Sequence, residues 1–292
     1  MNRLLVTGGG GYLGRRLGRL AAAQGWQVTS SYVSTPPLAG EAWQLDLTDG
    51  PAVHAAVAGL RPTAIIHTAC SNRNAAHIAA IRPAARHLAE AAQAAGARLV
   101  HVSSDMVFDG EHAPYADDAP RGPLTDYAAA KAEAEQVVGA ACPAAAIGRP
   151  SLIWSLDPPD RQTEWLVSGM RRGERVTLFT DEVRCPIYLD DLAAALLALA
   201  ARPDLSGPFN LGGRQALNRW EFGLRLLAAL GVPRSANVLP GSVANSGLRR
   251  PRDLTLRLDR ATQAGLPCLR GVDEVLAAHS LQARHASRIC EG

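Results

Sequence analysis

The chain has 292 residues, 47% of them hydrophobic and 20% charged, which suits one large globular domain or two smaller ones and argues against a disordered chain. Its net charge of +3 is spread along the sequence and forms no basic arm, so no nucleic-acid partner is expected. Five cysteines (70, 142, 185, 268, 290) lack C-x-x-C spacing and the eight histidines lack H-x-x-x-H spacing, so neither a disulfide framework nor a metal site is predicted.

In chain order, the first apolar run, Leu4-Leu5-Val6, stops at Thr7-Gly8 and makes no secretory leader. Arg3–Thr7 reads as a strand, Tyr12–Gln24 as a helix ended by Gly25, and Gln27–Tyr32 as the next strand. Trp43–Leu45 is a short strand ending at Asp46, and a helix begins at Asp49 or Gly50. Ala64–Thr68 is a continuous apolar strand, buried on both faces. A long helix ends near Gly96, and Arg98–Ser103 follows as a strand, Asp126–Ala141 as a helix and Ala144–Arg149 as the sixth strand. Strands alternating with helices predict an α/β fold with a doubly wound parallel sheet. After Pro150 prolines at 158, 159, 186, 203, 208, 233 and 240 break the rhythm. Residues 1–150 are therefore read as a ligand-binding domain, with 185–201 returning to it as a helix, and 151–292 mainly as a smaller lobe. The most apolar late stretch, Leu192–Ala201, is far short of the ~20 residues that span a bilayer. A cytoplasmic protein without membrane contact is expected.

The glycines at 8, 11 and 14 form G-x-x-G-x-x-G between the first strand and the first helix. Glycine lets the backbone turn tightly against a pyrophosphate, and the helix N-terminus offers free N–H groups and partial positive charge. A Rossmann-like dinucleotide site is predicted, with Gly8, Gly11, Tyr12, Leu13 and Gly14 at the phosphates. The second strand ends Ser30-Ser31-Tyr32 without the acid that would hold an adenosine ribose and repel a 2′-phosphate. Arg15 and Arg16 stand ready to neutralise such a phosphate and Ser31 to donate to it, so NADP(H) is favoured over NAD(H). One of the two arginines must point to solvent.

Tyr127 and Lys131 form Y-x-x-x-K, and on a helix i and i+4 share a face. A nearby ammonium favours the phenolate of a group that otherwise titrates near 10, which tunes it for acid–base work. Ser104 follows the strand ending His101-Val102-Ser103, at the carboxyl edge where open α/β sheets place ligands. Strand alternation sends only one of Ser103 and Ser104 into that cleft.

Gly8/Gly11/Gly14, Ser104 and Tyr127/Lys131, in this order, resemble the extended short-chain dehydrogenase/reductase superfamily. Asp46-Leu47-Thr48-Asp49, Ser103-Ser104-Asp105-Met106-Val107-Phe108-Asp109-Gly110, Arg184-Cys185-Pro186-Ile187-Tyr188 with Asp190-Asp191, and Arg250-Pro251 with Leu258-Asp259 are similar to its dTDP-4-dehydrorhamnose reductase branch, the sugar-nucleotide 4-ketoreductases. The resemblance implies hydride transfer from a nicotinamide to a keto group, a Ser104–Tyr127–Lys131 triad with Tyr127 as proton donor, and Lys131 on the nicotinamide ribose. It also implies Asp46 and Leu47 beside the adenine, and Thr68, Ala69 and Cys70 beneath the cofactor. Members usually carry Tyr where this chain has Met106, so the substrate is open. Relatives often dimerise through the helices flanking the fifth strand. A homodimer is one expectation, and intramolecular packing of the Ala-rich faces the other.

The same resemblance assigns the pocket to residues after Pro150. Arg184 and Arg250 are candidates to grip a diphosphate bidentately, and the cluster Leu248–Arg252 reads equally as an anion pocket or a solvated loop. Trp154, Trp165 and Trp220 are candidates to stack on a base or sugar, against an equal expectation that they are core. Asp105 and Met106 border the substrate, and Asp190-Asp191 reads as charge at a helix start. The functional expectation is a ketoreductase on a nucleotide-linked sugar. A redox-neutral NAD-dependent epimerase or dehydratase, and a non-catalytic NADP-binding regulatory subunit, are the alternatives.

Overall fold

The computed structural model describes residues 2–37 and 40–290, the side chains of 282–290 aside. Through residue 150 it contains β1 (Arg3–Thr7), α1 (Tyr12–Ala23), β2 (Gln27–Tyr32), β3 (Glu41–Gln44), α2 (Gly50–Leu60), β4 (Ala64–His67), α3 (Ala75–Ala79), α4 (Ile81–Ala95), β5 (Arg98–Val102), α5 (Asp126–Ala141) and β6 (Ala146–Pro150). Beyond it come β7 (Ile153–Trp154), α6 (Arg161–Arg171), β8 (Val176–Phe179), β9 (Val183–Arg184), β10 (Ile187–Tyr188), α7 (Leu189–Ala200), β11 (Gly207–Leu211), β12 (Leu217–Asn218), α8 (Arg219–Ala229), β13 (Val238–Gly241), α9 (Asp259–Gln263) and α10 (Val272–Cys290).

Seven strands form one parallel sheet in the order β11-β6-β5-β4-β1-β2-β3, the doubly wound arrangement expected. Alternation sends Leu4, Val6 and Ile66 to one face, where α1 and α7 cover them, and Leu5 and Ile65 to the other, beneath α2, α4 and α5. Each such buried Leu or Ile contributes on the order of 1.5–3 kcal/mol. The strand order reverses beside β1, so the ligand crevice opens above the carboxyl ends of β1, β4 and β5.

Two elements differ from the sequence expectation. The long helix before Gly96 is two helices, because Pro83 has no N–H to bond the Ala79 carbonyl and falls instead in the first turn of α4. The seventh strand, β11, comes from the stretch read as mainly lobe and pairs with β6 from Gly207↔Ala146 to Leu211↔Pro150. The lobe itself is held by three two-strand ladders, β7·β10, β8·β13 and β9·β12. It has two small cores, one around Leu166, Leu178 and Leu227, the other around Trp154, Phe222 and Val272.

Candidate active site

The turn after β1 is closed by contact as well as by conformation. Gly8 has φ +71°, and a Cβ there would lie 2.8 Å from the Ala69 Cα. A Cβ on Gly14 would strike the Gly8 carbonyl, and one on Gly10 the Thr35 carbonyl. Gly10 was not singled out in the sequence; the signal was the run of four glycines from 8 to 11. Gly11 is the N-cap of α1, with no side-chain cap and no acid in the first turn. The first N–H groups of α1 therefore face the crevice without a side-chain acceptor, as an anion site requires. Ser31 is buried and its carbonyl accepts from Gly9 N at 2.9 Å. The Ser30 hydroxyl and Arg15 Nε are buried without a partner. Two unsatisfied donors beside an uncapped helix end fit the phosphates of a dinucleotide.

Arg16 is placed elsewhere. Its Nε pairs with Asp190 at 2.8 Å and its Nη2 donates to the Asp157 carbonyl at 2.8 Å. This corrects its assignment to the cofactor phosphate: the guanidinium is spent on joining α1 to the lobe. Tyr12 serves the same junction, its hydroxyl donating to the Pro158 carbonyl at 3.1 Å.

Asp46 is exposed beyond β3 and held below its usual range by the Thr48 backbone and hydroxyl, each 2.8 Å from Oδ1. Leu47 is buried, with its carbonyl accepting from His87 Nδ1 at 3.1 Å. After β4 the Thr68 hydroxyl turns inward and donates to the Thr7 carbonyl at 2.6 Å, Ala69 lies against Gly8, and Cys70 is exposed.

On the third edge, Ser103 and Ser104 separate as strand alternation demands. Ser103 is buried and donates to Glu135 at 2.6 Å. Ser104 faces the crevice, where its Oγ accepts from Met106 N at 3.2 Å and its hydroxyl acts on the nearby Tyr127 phenol. Thr125 caps α5, accepting from Ala128 N at 3.2 Å, so Tyr127 falls in the first turn and Lys131 in the second, on one face. Burial holds the Tyr127 phenol well above its ordinary range; the Cys70 thiol and the Asp105 charge add to this, and Ser104 opposes them. Lys131 is buried and donates to the Val102 carbonyl at 2.8 Å, leaving two of its three protons for other partners. Behind it lie His67, whose Nδ1 is 2.7 Å from Thr7 Oγ1, and His101, whose two ring nitrogens have no partner. Burial and the Lys131 charge push His67 down to about 3; burial, His67 and Lys131 lower His101 in turn, so both stay neutral.

Asp105 is buried, with Oδ1 accepting from Ser104 at 3.3 Å and Oδ2 from Ser151 at 2.8 Å. Burial raises its carboxyl, although Arg184 and both serines pull it down. Met106 is half-buried over the Val107/Phe108 cluster.

In the lobe, Arg184 is 5% exposed, pairing with Glu182 at 3.2 Å and donating to the Val183 and Pro251 carbonyls at 2.7 and 3.2 Å. It is not a free anion grip, because these partners consume its fork. Arg250, half-exposed, takes the other Glu182 oxygen at 3.2 Å. Arg219, unremarked in the sequence, is half-buried beside the same group, and its pKa is lowered: desolvation first, with Glu182 opposing and Arg184 assisting. Nothing in its spacing could have shown this, since its partners come from other elements. Trp154 is 1% exposed, edge-on to Tyr188 and Phe222 at 5.3 and 5.6 Å. It is core and presents no face to a substrate, which corrects that assignment. Trp220 packs into the other small core, and Trp165 is exposed.

Among the described residues no three His, Cys, Asp or Glu side chains converge as a metal site, and no helix is long and apolar enough to cross a membrane.

The family described as RmlD substrate binding domain matches residues 1–280. The dTDP-4-dehydrorhamnose reductase of Mycobacterium tuberculosis is 36% identical over 214 residues, covering 68% of this chain and 66% of that protein. Methionine adenosyltransferase 2 subunit beta of Danio rerio is 27% identical over 279 residues, covering 90% of this chain and 85% of that one. The solved dTDP-4-dehydrorhamnose reductase of Bacillus anthracis in complex with NADP has a TM-score of 0.83 over 97% of this chain and 100% of that chain, at 22% identity, a likeness of fold. With a Rossmann-like sheet, a glycine turn and a family match over nearly its whole length, the chain belongs to the RmlD substrate-binding domain family of extended short-chain dehydrogenase/reductases and is an NAD(P)-dependent oxidoreductase.

Proposed function

We propose that the chain reduces the keto group of a nucleotide-linked sugar, with NADPH as reductant and Tyr127 as proton donor. The observation that carries this reading is the Tyr127 phenol: it is kept protonated by burial and met by the Ser104 hydroxyl at the carboxyl edge of the sheet. A phenol that holds its proton through the neutral range is in the form that donates. Bound reduced nicotinamide supplies the hydride. As the hydride reaches the carbonyl carbon, the carbon–oxygen π pair moves to oxygen, which takes the Tyr127 proton. Ser104 hydrogen-bonds the same oxygen, and Lys131 offers its free protons to the nicotinamide ribose and favours the phenolate left behind. Asp105 orients Ser104 from below. Met106, which carries no hydroxyl, borders the sugar.

NADP(H) over NAD(H) is supported by Arg15, whose Nε is buried without a partner, and by a β2 end that carries no acid. The sugar-nucleotide substrate is supported by similarity to the Mycobacterium reductase and by the half-exposed Arg250 guanidinium. The likeness to the methionine adenosyltransferase subunit, over more of the chain, favours a second reading, a cofactor-binding regulatory subunit.

One experiment separates these readings. NADPH oxidation is followed with dTDP-, UDP- and GDP-linked 4-ketosugars, and turnover lost in Tyr127→Phe is expected. Redox-neutral conversion of a sugar nucleotide points to an epimerase or dehydratase. Cofactor binding without turnover on any carbonyl favours the regulatory reading.

A further inference from the structure

Tyr127, Lys131 and Glu135 recur at every fourth residue of α5, so they stack along one face of the helix. The first two point at the crevice. Glu135 points below it and is fully buried. Its Oε1 accepts from Ser103 Oγ at 2.6 Å and from Arg149 Nε at 2.8 Å. Its Oε2 accepts from Arg149 Nη2 at 2.6 Å and from Arg121 Nη1 at 3.1 Å. Arg149 belongs to β6, donates its Nη1 to the Asp117 carbonyl at 2.8 Å, and lies 5.1 Å over the Phe108 ring. The Asp117 carboxylate in turn accepts from Asn210 N of β11 at 2.6 Å. Burial alone would raise the Glu135 carboxyl; Arg149, then Ser103 and Arg121, hold it below its ordinary range, so it remains a charged acceptor.

One carboxylate thus joins four parts: the end of β5, β6, the loop before α5, and α5 itself. A buried ion pair is a costly way to hold a fold, since apolar side chains of similar volume often do as well. What it supplies here is direction. Ser103 and Ser104 are adjacent residues at the end of an extended strand, so fixing Ser103 onto Glu135 turns Ser104 the opposite way, to Tyr127. Because Glu135 shares a helix face with Tyr127, the same contact sets the height of the phenol relative to the Ser104 hydroxyl.

We infer that Glu135 is a positioning residue for the reaction, holding β5 through Ser103 so that Ser104 and Tyr127 meet at one oxygen of the substrate. This rests on the reading of Tyr127 as proton donor. Displacing a reacting group by about 1 Å costs on the order of 10²-fold in rate, whereas cofactor binding at the glycine turn is far from the clamp and stays intact.

Ser103→Ala is the decisive variant, because it leaves both arginine pairs of Glu135 in place and so keeps the fold. With NADPH and the ketosugar nucleotide that gives turnover, kcat is expected to fall about 10- to 30-fold while the KM for NADPH stays within twofold. Ser103→Thr, which keeps a hydroxyl, restores most of kcat. Glu135→Gln lowers kcat at least as far and lowers Tm as well. Wild-type kcat in Ser103→Ala overturns the inference, even if Tm drops. So does a parallel loss of kcat and NADPH affinity that Ser103→Thr does not rescue, which is general loosening. Turnover that survives Tyr127→Phe overturns the proton-donor reading instead, and a wild-type protein that turns over no carbonyl overturns both.

Discussion

The crevice edge and the arginine junction of the lobe are built by opposite means. At the crevice edge, neighbours in sequence make the site: four consecutive glycines, two residues one helical turn apart, and one serine at a strand end. At the junction, Glu182, Arg184, Arg219 and Arg250 gather from a short strand, a helix start and a loop, with partners up to 68 positions away. The first site is sterically fixed, since added atoms collide with backbone. The second is electrostatically fixed, with Glu182 paired to two guanidinium groups at once. Steric sites fail when something is added, and charged sites fail when something is removed.

The largest effect is expected at the crevice edge. Tyr127→Phe removes one oxygen and leaves the packing of α5 intact, so kcat should fall about 10³-fold, the middle of the range of acid–base contributions, with Tm unchanged within a degree. Steady-state rates and a thermal melt check this. A fall in Tm without a fall in kcat would mean that the phenol is structural.

At the junction the expected loss is in stability. Glu182 is 5% exposed, and Glu182→Gln removes the carboxylate that Arg184 pairs with at 3.2 Å. Removing one partner of a buried pair costs about 3 kcal/mol, less here because Arg250 is half in water and regains hydration. Urea unfolding measures it. An unchanged midpoint would show that the junction is held by its carbonyl contacts and not by its charge.

Beneath the crevice edge, beside Lys131, lies the histidine pair. His67 and His101 are fully buried and neutral, their folded pKa values depressed below the ordinary 6.5. The unfolded chain therefore binds more protons below pH 6.5. The stability that neutral burial contributes is present above pH 6.5 and is lost as pH falls from there toward about 3. Two such groups imply a loss on the order of 2 kcal/mol between pH 7.5 and 5.5. Unfolding that is equally difficult at both values would place a charged partner beside one of the rings.

How much of this was legible depended on how far apart the interacting residues lie. The βα alternation, the glycine turn and the Tyr127/Lys131 face were readable because each is a local pattern. The two serines were readable only as a pair, since alternation says that one turns inward and not which; Glu135, 32 positions from Ser103, decides it. Trp154 was undecidable from hydrophobicity, as a tryptophan that stacks on a sugar and one that fills a core have the same composition. The break at Pro83 and the late strand β11 were missed for different reasons. The proline was present to be read, whereas Gly207–Leu211 joins the sheet only because β6 has an open edge.

The finest distinction is between two adjacent arginines, which helix geometry sends in directions 100° apart. Arg16 is occupied by Asp190 and the Asp157 carbonyl, whereas Arg15 carries a buried Nε with no partner. Arg15→Ala should therefore weaken NADPH binding about tenfold, or about 1.4 kcal/mol, and leave NADH binding unchanged. Arg16→Ala should shift Tm downward and alter both cofactors equally and slightly, because it loosens the seam between α1 and the loop at Asp157. Fluorescence titration with both nucleotides reads the four combinations. If Arg15→Ala weakens NADH as much as NADPH, the guanidinium acts on the pyrophosphate shared by the two, and the preference for the 2′-phosphate must come from the serines at the end of β2.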